Sequence, residues 1–270
     1  MNKIILGNCL EIIPTLADKS IDSVVTSPPY AEQRKNLYSG ICEQKYPTWT
    51  VEWMEVLKPK LKPGASVAIV IRPHIKNGVL SDYVLKTRLA IRDAGWFETE
   101  ELIWIKPNSP PIGNNKRPRR SWESILWFSL DRQPFCDPKA NGQLSDRIGM
   151  TGKKSKKEGY VNGITPSEDW QPNIGVARCR DYVEVGTAET DHSKENTHPA
   201  QFPVRLASWL VTLLTPIDGI VLDPFMGSGS TALACIKEKR SYIGIDESSD
   251  YCDIAKRRIN KVICNCTSSC

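Results

Sequence analysis

Two short stretches of this sequence carry residue types that could do chemistry. The first is Ser27-Pro28-Pro29-Tyr30, which directly follows Thr26 and the apolar run Ile21–Val25. Neither proline has an N–H to donate and each fixes φ near about −65°, so a strand must end here in a rigid turn. The turn presents a hydroxyl, carbonyl acceptors and an aromatic face, which together suit the binding of a planar amine. An ordinary Pro-Pro loop is the alternative interpretation of the same residues.

The second stretch is a glycine-rich segment, Asp223–Gly229, between the apolar run Ile220–Leu222 and a helix-like segment from Thr231 to Ile236. This pattern predicts a strand, a glycine loop and a helix. Glycines let the backbone approach a ligand closely, and the first turn of a helix offers unpaired N–H groups to a carboxylate or a phosphate. Only Gly227 and Gly229 of a G-x-G-x-x-G fingerprint are present, which argues against a plain dinucleotide site.

A short apolar strand follows the glycine segment and ends in acidic residues. Tyr242–Ile245 is the apolar part, and Asp246 and Glu247 come directly after it. An acidic side chain at the end of such a strand can accept hydrogen bonds from the two hydroxyls of a ribose. The two segments together therefore predict a site for a ligand that contains a ribose.

The elements that must position these residues alternate between strands and helices. Apolar runs and helical periodicity predict, in chain order, strand Ile21–Val25, helix Val51–Leu61, strand Ala65–Ile71, helix Ser81–Ala94, strands Glu98–Ile105 and Ile125–Leu130, helix Val204–Leu214, strands Ile220–Leu222 and Tyr242–Ile245, and helix Asp250–Val262. Such alternation predicts an α/β fold with a mostly parallel sheet, helices on both faces, and ligands at the carboxyl ends of the strands.

One long stretch, residues 131–196, lacks this periodicity. It is rich in Gly, Pro, Asn, Lys and Asp and cannot supply a large core by itself. We therefore predict one α/β domain made of residues 1–130 and 197–270, interrupted by a smaller irregular region at 131–196.

Positive charge is concentrated in the middle of the chain. From Trp104 to Tyr160 there are twelve basic and five acidic residues, a net charge of +7, whereas the whole chain carries only +5. Neutralisation of nucleic-acid phosphates is the use that such a segment predicts, and a solvated basic loop is the alternative.

Composition sets further limits. A chain of 270 residues and 30.3 kDa can bury a full core, and its longest apolar runs, such as Ala65–Ile71, have the length of strands. The apolar segment at residues 1–7 is too short for a signal peptide, so we expect a cytoplasmic protein without a membrane span. An odd number of cysteines, nine, predicts reduced thiols, and their spacing predicts no metal site.

The two segments and their order resemble the amino-group DNA methyltransferases, and specifically the beta group with circularly permuted motifs. Further matches are Leu61–Ala65, Leu102–Asn108 and His198–Pro203, and the resemblance covers most of the chain. It implies a Rossmann-like methyltransferase fold, S-adenosylmethionine as the methyl donor, double-stranded DNA as the partner, and target recognition by residues 131–196. A cognate restriction endonuclease and the oligomeric state stay open.

The resemblance also implies residue roles. The catalytic residues would be Ser27, Pro28, Pro29 and Tyr30. The cofactor-binding residues would be Asn8, Cys9, Thr26, His198, Phe202, Asp223, Pro224, Phe225, Gly227, Ser228, Gly229, Asp246 and Glu247. The DNA-binding residues would be Lys116, Arg117, Arg119, Arg120, Lys153, Lys154, Lys156 and Lys157. One departure is Asn8, where the family usually has an acid, and an amide accepts a hydrogen bond without a full charge.

The resemblance implies a reaction without a covalent enzyme adduct. Ser27 and the Pro28 carbonyl would accept the hydrogens of an exocyclic amine on a flipped base, Tyr30 would stack on that base, and the amine would attack the methyl group in line. No proline-cysteine nucleophile is present in the sequence. Ser-Pro-Pro-Tyr favours cytosine N4, with adenine N6 as the alternative. An RNA or protein methyltransferase, or a non-catalytic DNA-binding relative, is a weaker alternative.

Overall fold

The computed structural model describes five ranges of the chain, residues 2–32, 40–109, 116–144, 175–186 and 203–267. Eight strands in these ranges form one sheet: β1 (Lys3–Leu6), β2 (Ile21–Thr26), β3 (Leu61–Ile71), β6 (Phe97–Ile105), β7 (Trp122–Ser129), β8 (Tyr182–Glu184), β9 (Ile220–Asp223) and β10 (Ser241–Asp246). Two further strands, β4 (Ile75–Lys76) and β5 (Val79–Leu80), form a hairpin. The helices are α1 (Cys9–Ile12), α2 (Tyr46–Leu57), α3 (Tyr83–Asp93), α4 (Val204–Leu214), α5 (Ser230–Lys237) and α6 (Ser249–Thr267).

The order of strands across the main sheet is β1-β10-β9-β2-β3-β7-β6-β8. Among the eight described strands of this sheet only β7 runs antiparallel to its neighbours, and the other pairs in the sheet are parallel. The prediction of a mostly parallel α/β sheet is therefore confirmed. Strands β2 and β9 are neighbours although 197 residues separate Thr26 from Asp223 in the chain. The two segments singled out in the sequence therefore follow the carboxyl ends of neighbouring strands.

Helices cover both faces of the sheet. Alternate residues of β3, Val67, Ile69 and Ile71, share one apolar cluster with buried side chains of α1, α2 and α3. The intervening residues Ala68 and Val70 are also buried but lie outside that cluster. Because successive side chains of a strand point to opposite faces, the second face is covered as well, and α4 contacts β2 and β3 there.

Element boundaries differ from the prediction where prolines intervene. Helix α2 begins at Tyr46, with Pro47 in its first turn. Proline is suited to this position because the backbone N–H that it lacks would have no partner within the helix. It ends at Leu57, not Leu61, since a short 3₁₀ turn with Pro59 follows and leads straight into β3. The edge strand β1 was not predicted, because its four residues are partly exposed and lack a clear period.

The described residues fall into two compact units. One comprises Met1–Asp137 with Asp181–Cys270 and contains the whole main sheet. The other is Pro138–Arg180, in which the Ala177 N–H donates to the Gln143 carbonyl at 2.8 Å and Leu144 pairs with Val176. The boundaries predicted from sequence, 1–130, 131–196 and 197–270, stay a prediction, as does the recognition role of the middle region. No helix in the described ranges is both long and apolar enough to span a bilayer.

We predict that Gly244→Ala destabilises the sheet, because a Cβ at position 244 would lie 2.1 Å from Sδ of the buried Met226. Displacing that side chain should lower the free energy of unfolding by about 1–3 kcal/mol in urea titrations. Met226→Ala shortens the opposing side chain, so Gly244→Ala should cost less in the Met226→Ala background. Equal costs in both backgrounds would contradict this packing.

Candidate functional site

The Pro-Pro turn (Ser27–Tyr30) and the glycine loop (Asp223–Gly229) begin at the ends of the neighbouring strands β2 and β9. The Thr26 hydroxyl donates to Asp223 Oδ1 at 2.7 Å, and both residues are buried. The last residue of one strand is thus bonded to the last residue of the other. The two segments singled out in the sequence therefore lie side by side at the carboxyl ends of these strands.

The Asp223 carboxylate organises the start of the glycine loop. In addition to Thr26, the Phe225 N–H donates to its Oδ1 at 3.1 Å and the Thr231 hydroxyl donates to its Oδ2 at 2.6 Å. Burial raises the pKa of Asp223 to about 6, although the hydrogen bonds from Thr231, Thr26 and Phe225 oppose that shift. These bonds hold β2, β9 and the first turn of α5 together.

The glycine loop turns over the end of β10. Gly227 and Gly229 have φ of 54° and 83°, in the left-handed region that glycine adopts without strain. The Gly227 N–H donates to Asp246 Oδ2 at 2.7 Å, and the Ser248 N–H donates to Oδ1 of the same residue at 2.9 Å. Asp246 is half-buried, and burial raises its pKa. The predicted ribose-binding acid thus lies against the glycine loop.

Helix α6 supports the far side of the glycine loop. A Cβ at Gly229 would lie 2.9 Å from the Cβ of Ala255, so the loop backbone packs directly on the helix. The Arg258 guanidinium donates to the Ser228 carbonyl at 2.6 Å and to its hydroxyl at 3.1 Å. Ser228 is therefore engaged with α6, and its predicted cofactor contact stays a prediction.

Aromatic packing fixes the other side of the glycine loop. The Phe225 ring lies 5.3 Å from the ring of Trp49 and 5.5 Å from that of Trp53, both in α2. Pro224 beside it is buried. The helix that was predicted from its apolar period thus holds the loop by ring contacts.

Asn8, Cys9 and Glu247 meet at the same edge of the sheet, because β1 is the neighbour of β10. Asn8 caps α1, with its Oδ1 accepting from the Leu10 N–H at 2.8 Å, and its Nδ2 donates to Glu247 Oε1 at 2.6 Å. Cys9 is buried, which raises its thiol pKa to about 12. The amide that departs from the family pattern therefore has a local structural role.

The Pro-Pro turn is held by a residue that the sequence did not single out. The Tyr30 hydroxyl donates to Glu123 Oε2 at 2.7 Å, and Glu123 is only 6% exposed. Lys106 Nζ donates to Glu123 Oε1, and Arg72 Nη1 lies 3.8 Å from that oxygen. The only signal in the sequence was a charged residue at the start of an otherwise apolar strand, which the predicted strand Ile125–Leu130 left out.

The predicted DNA-binding residues divide into two sets in the structure. Lys116, Arg117 and Arg119 are exposed, and Arg117 also donates to the Gly78 carbonyl at the tip of the β4–β5 hairpin. Arg120 is half-buried and donates to the Pro73 carbonyl. Six predicted site residues lie outside the described ranges: Lys153, Lys154, Lys156, Lys157, His198 and Phe202.

An ion-pair cluster of Glu32, Glu43 and His74 lies beyond the Pro-Pro turn. Their ligand-type atoms lie within 4.8 Å of one another. Lys76 Nζ lies 2.6 Å from Glu32 and 3.9 Å from Glu43, and His74 Nε2 lies 2.7 Å from Glu43. The Lys76 ammonium pairs with both carboxylates, so the cluster is interpreted as a structural ion-pair network.

Comparisons with known proteins agree with this geometry. The N6/N4 family model described as DNA methylase matches residues 21–257. The Type II methyltransferase M.PvuII of Proteus hauseri is 29% identical to the chain, covering 91% of this chain and 80% of the relative. The solved structure of PvuII DNA methyltransferase (cytosine-N4-specific) is similar with a TM-score of 0.72 and 24% identity, covering 95% of this chain and 86% of that one. The M1.HpyAVI-SAM complex is similar with a TM-score of 0.61 and 22% identity, covering 96% and 100%.

We predict that the Asp223 carboxyl makes folding stability depend on pH. Its folded pKa of about 6 lies above the unfolded value of roughly 3.9, so the folded chain binds the proton more tightly between these values. The free energy of unfolding should therefore fall as pH rises from 4 to 6, by roughly 2–3 kcal/mol from this group.

Urea unfolding of the wild type and Asp223→Asn across this range measures the effect, since asparagine does not titrate. Thr231→Val removes a donor that favours the charged carboxylate, so the folded pKa of Asp223 should rise further. The fall in the free energy of unfolding of this variant should therefore extend to higher pH than in the wild type. Parallel curves for the wild type and Asp223→Asn would contradict the prediction.

Proposed function

The chain belongs to the DNA methylase family, and from that membership we propose that it methylates the exocyclic N4 of cytosine in double-stranded DNA, with S-adenosylmethionine as the methyl donor. The observation that carries the proposal is the bond from Thr26 to Asp223, which joins the Pro-Pro turn to the glycine loop. Transfer between two molecules requires two adjoining sites, and these segments provide them.

The residues of the glycine loop fit an S-adenosylmethionine ligand. Gly227 leaves the loop without a side chain at a left-handed position, where a ligand can approach the backbone, and Gly229 lets the loop pack closely on α6. Asp246 accepts one N–H on each carboxylate oxygen, and each oxygen has a second lone pair for a ribose hydroxyl. When bound, the cofactor supplies a methyl group activated by a sulfonium. The solved relative named as a SAM complex supports this assignment.

The Pro-Pro turn supplies the acceptors for an amine. Strand β2 ends at Thr26, before the two prolines, so the Pro28 carbonyl and the hydroxyl of the neighbouring Ser27 lie outside the strand. Together they would accept the two amine hydrogens and direct the nitrogen lone pair toward the donor site. Rate would come from alignment and from placed acceptors, and a cysteine nucleophile is unnecessary.

Cytosine N4 is proposed over adenine N6 on two grounds. The turn has serine in its first position, and a solved relative with the same fold is named as cytosine-N4-specific. Adenine N6 is the second candidate, because the matching family model covers both nitrogens.

The partner proposed for the basic surface is double-stranded DNA. Lys116, Arg117 and Arg119 are exposed within the basic segment, where phosphate contacts would fix the position of the duplex. Because the curated relative is named a Type II methyltransferase, we propose action on chromosomal DNA in the cytoplasm and a cognate restriction endonuclease as a partner.

The proposal predicts one modified base. Unmethylated genomic DNA incubated with the protein and S-adenosylmethionine should yield N4-methylcytosine when digested to nucleosides and examined by mass spectrometry. N6-methyladenine as the product would contradict the choice of cytosine N4 but would still agree with a DNA methyltransferase. A heat-inactivated sample is the control, and no methylated base at all would reject the function.

The two sites should respond differently to substitution. Ser27→Ala should lower the rate of methyl transfer by about 10- to 100-fold with little change in cofactor affinity, because it removes one acceptor for the amine. Asp246→Ala should weaken cofactor binding by about tenfold or more, because hydrogen bonds to a charged acceptor are lost. Single-turnover rates and calorimetric titration separate the two effects.

Matched controls are Ser20→Ala, at the entry of the same strand, and Asp250→Ala, an exposed acid in the first turn of α6. Both should keep the wild-type rate and affinity. If Ser27→Ala and Asp246→Ala each lost rate and cofactor affinity equally, the assignment of Ser27 to the amine site and of Asp246 to the cofactor site would be contradicted.

A further inference from the structure

We propose that the hairpin formed by β4 and β5 enters the DNA duplex beside the target nucleotide, where the side chains of Val79 and Leu80 pack against the bases that flipping leaves unstacked. The inference rests on the proposed methyl transfer to a flipped base. It gives a function to an exposed element that the sequence analysis did not single out.

The order of strands in the sheet places the hairpin beside the Pro-Pro turn. Strand β2 lies between β9 and β3 and runs parallel to both. The glycine loop, the Pro-Pro turn and the hairpin therefore follow the carboxyl ends of three neighbouring strands, with the Pro-Pro turn in the middle. The proposed methyl donor site flanks that turn on one side, and the hairpin flanks it on the other.

The hairpin is also tied to the residues that follow the Pro-Pro turn. Lys76 Nζ of β4 lies 2.6 Å from Oε2 of Glu32, which comes two residues after Tyr30. At the base of the hairpin the Ser81 N–H donates to the His74 carbonyl at 2.9 Å. The base-binding turn and the hairpin are thus held next to each other by printed side-chain and backbone contacts.

Two arginines of the basic segment contact the hairpin as well. Arg117 donates to the Gly78 carbonyl at the tip, and Arg120 donates to the Pro73 carbonyl just before β4. Arg117 is exposed, and its guanidinium has more N–H donors than this bond uses, so it can also bind a phosphate. This charge favours DNA as the occupant over a second copy of the chain, which carries a net charge of +5 itself.

The tip of the hairpin is a narrow turn with apolar side chains. Asn77 and Gly78 join the strands with φ of 50° and 76°, as a two-residue type I′ turn requires. Val79 is 68% exposed and Leu80 is 55% exposed. Because successive side chains of a strand point to opposite faces, the tip is apolar on both faces. A wedge between two base pairs contacts a base on each face, which is the shape that this tip provides.

Insertion of the tip would lower the cost of flipping the base. Extruding a nucleotide removes it from the stack and exposes apolar base faces of its neighbours to water. Val79 and Leu80 are exposed in the free protein, so their burial against those faces is a gain that appears only in the complex. The effect should therefore be largest where the target base is paired and stacked.

The test compares two double variants that both keep the β-branched side chains favoured in strands. Val79→Thr with Leu80→Thr puts hydroxyls where an apolar surface is needed, whereas Val79→Ile with Leu80→Ile keeps the surface apolar. The threonine pair should lower the single-turnover rate of methyl transfer to unmethylated genomic DNA by about tenfold or more, with cofactor affinity within about twofold of the wild type. The isoleucine pair should keep the wild-type rate, and both should unfold at the wild-type temperature.

The matched control is Ile217→Thr. Ile217 is 69% exposed, as Val79 nearly is, but it lies in the loop before β9, at the amino end of that strand and so at the opposite end of the sheet. This variant should transfer methyl groups at the wild-type rate.

A second substrate separates flipping from binding. Duplexes carry the sequence that the wild type methylates in genomic DNA, with the target base either correctly paired or opposite a mismatched base. A mismatched base costs less to extrude, so the deficit of the threonine pair relative to the wild type should be smaller by about threefold or more on the mismatched duplex.

Four results would overturn the role of the hairpin while methyl transfer by the wild type still stands. They are a wild-type rate in the threonine pair, an equal loss in the isoleucine pair, an equal loss in Ile217→Thr, and equal deficits of the threonine pair on paired and mismatched duplexes. A lower molar mass of the threonine pair in light scattering, with an unchanged rate, would assign the tip to contact between copies of the chain. Absence of any transfer by the wild type would instead overturn the proposed function, and the role of the hairpin with it.

Discussion

The buried carboxylate of Asp223 is the constraint on which the site depends. It accepts hydrogen bonds from the end of β2, from the loop that follows β9, and from the first turn of α5. A buried charge without such donors would cost several kcal/mol, so the donors must stay in place for the chain to fold. The same bonds therefore hold the two proposed binding sites next to each other.

A second buried acid, Glu123, plays a corresponding part on the other side of the Pro-Pro turn. It lies on β7, two strands away from β2, yet its carboxylate reaches the Tyr30 hydroxyl. Both acids sit at the ends of strands and use their charge to fix neutral hydroxyls, Thr26 and Thr231 in one case and Tyr30 in the other. The geometry of the turn is thus set by polar bonds and not by the prolines alone.

The parts of the fold that could be predicted from the sequence are those with strong local signals. A continuous apolar run of strand length, such as Ala65–Ile71, is typical of a buried strand, and the apolar period of Val204–Leu214 is typical of a helix. Both elements were predicted correctly. Short or partly exposed elements were missed, among them β1 and the start of β7 at Trp122. The charge of Glu123 indicated locally that no strand was present, because its partners Lys106 and Arg72 lie outside β7 and are brought to it by the fold.

The sequence by itself determined the chemistry of the two segments, because the dihedral limits of proline and glycine and the donor and acceptor capacities of serine and aspartate are properties of the residues. Only the tertiary structure decided which of these groups meet. Hydrogen bonds across 197 residues, from Thr26 to Asp223, and across 93, from Tyr30 to Glu123, depend on the order of strands in the sheet. No local pattern encodes that order, since it follows from burying both faces of the sheet at once.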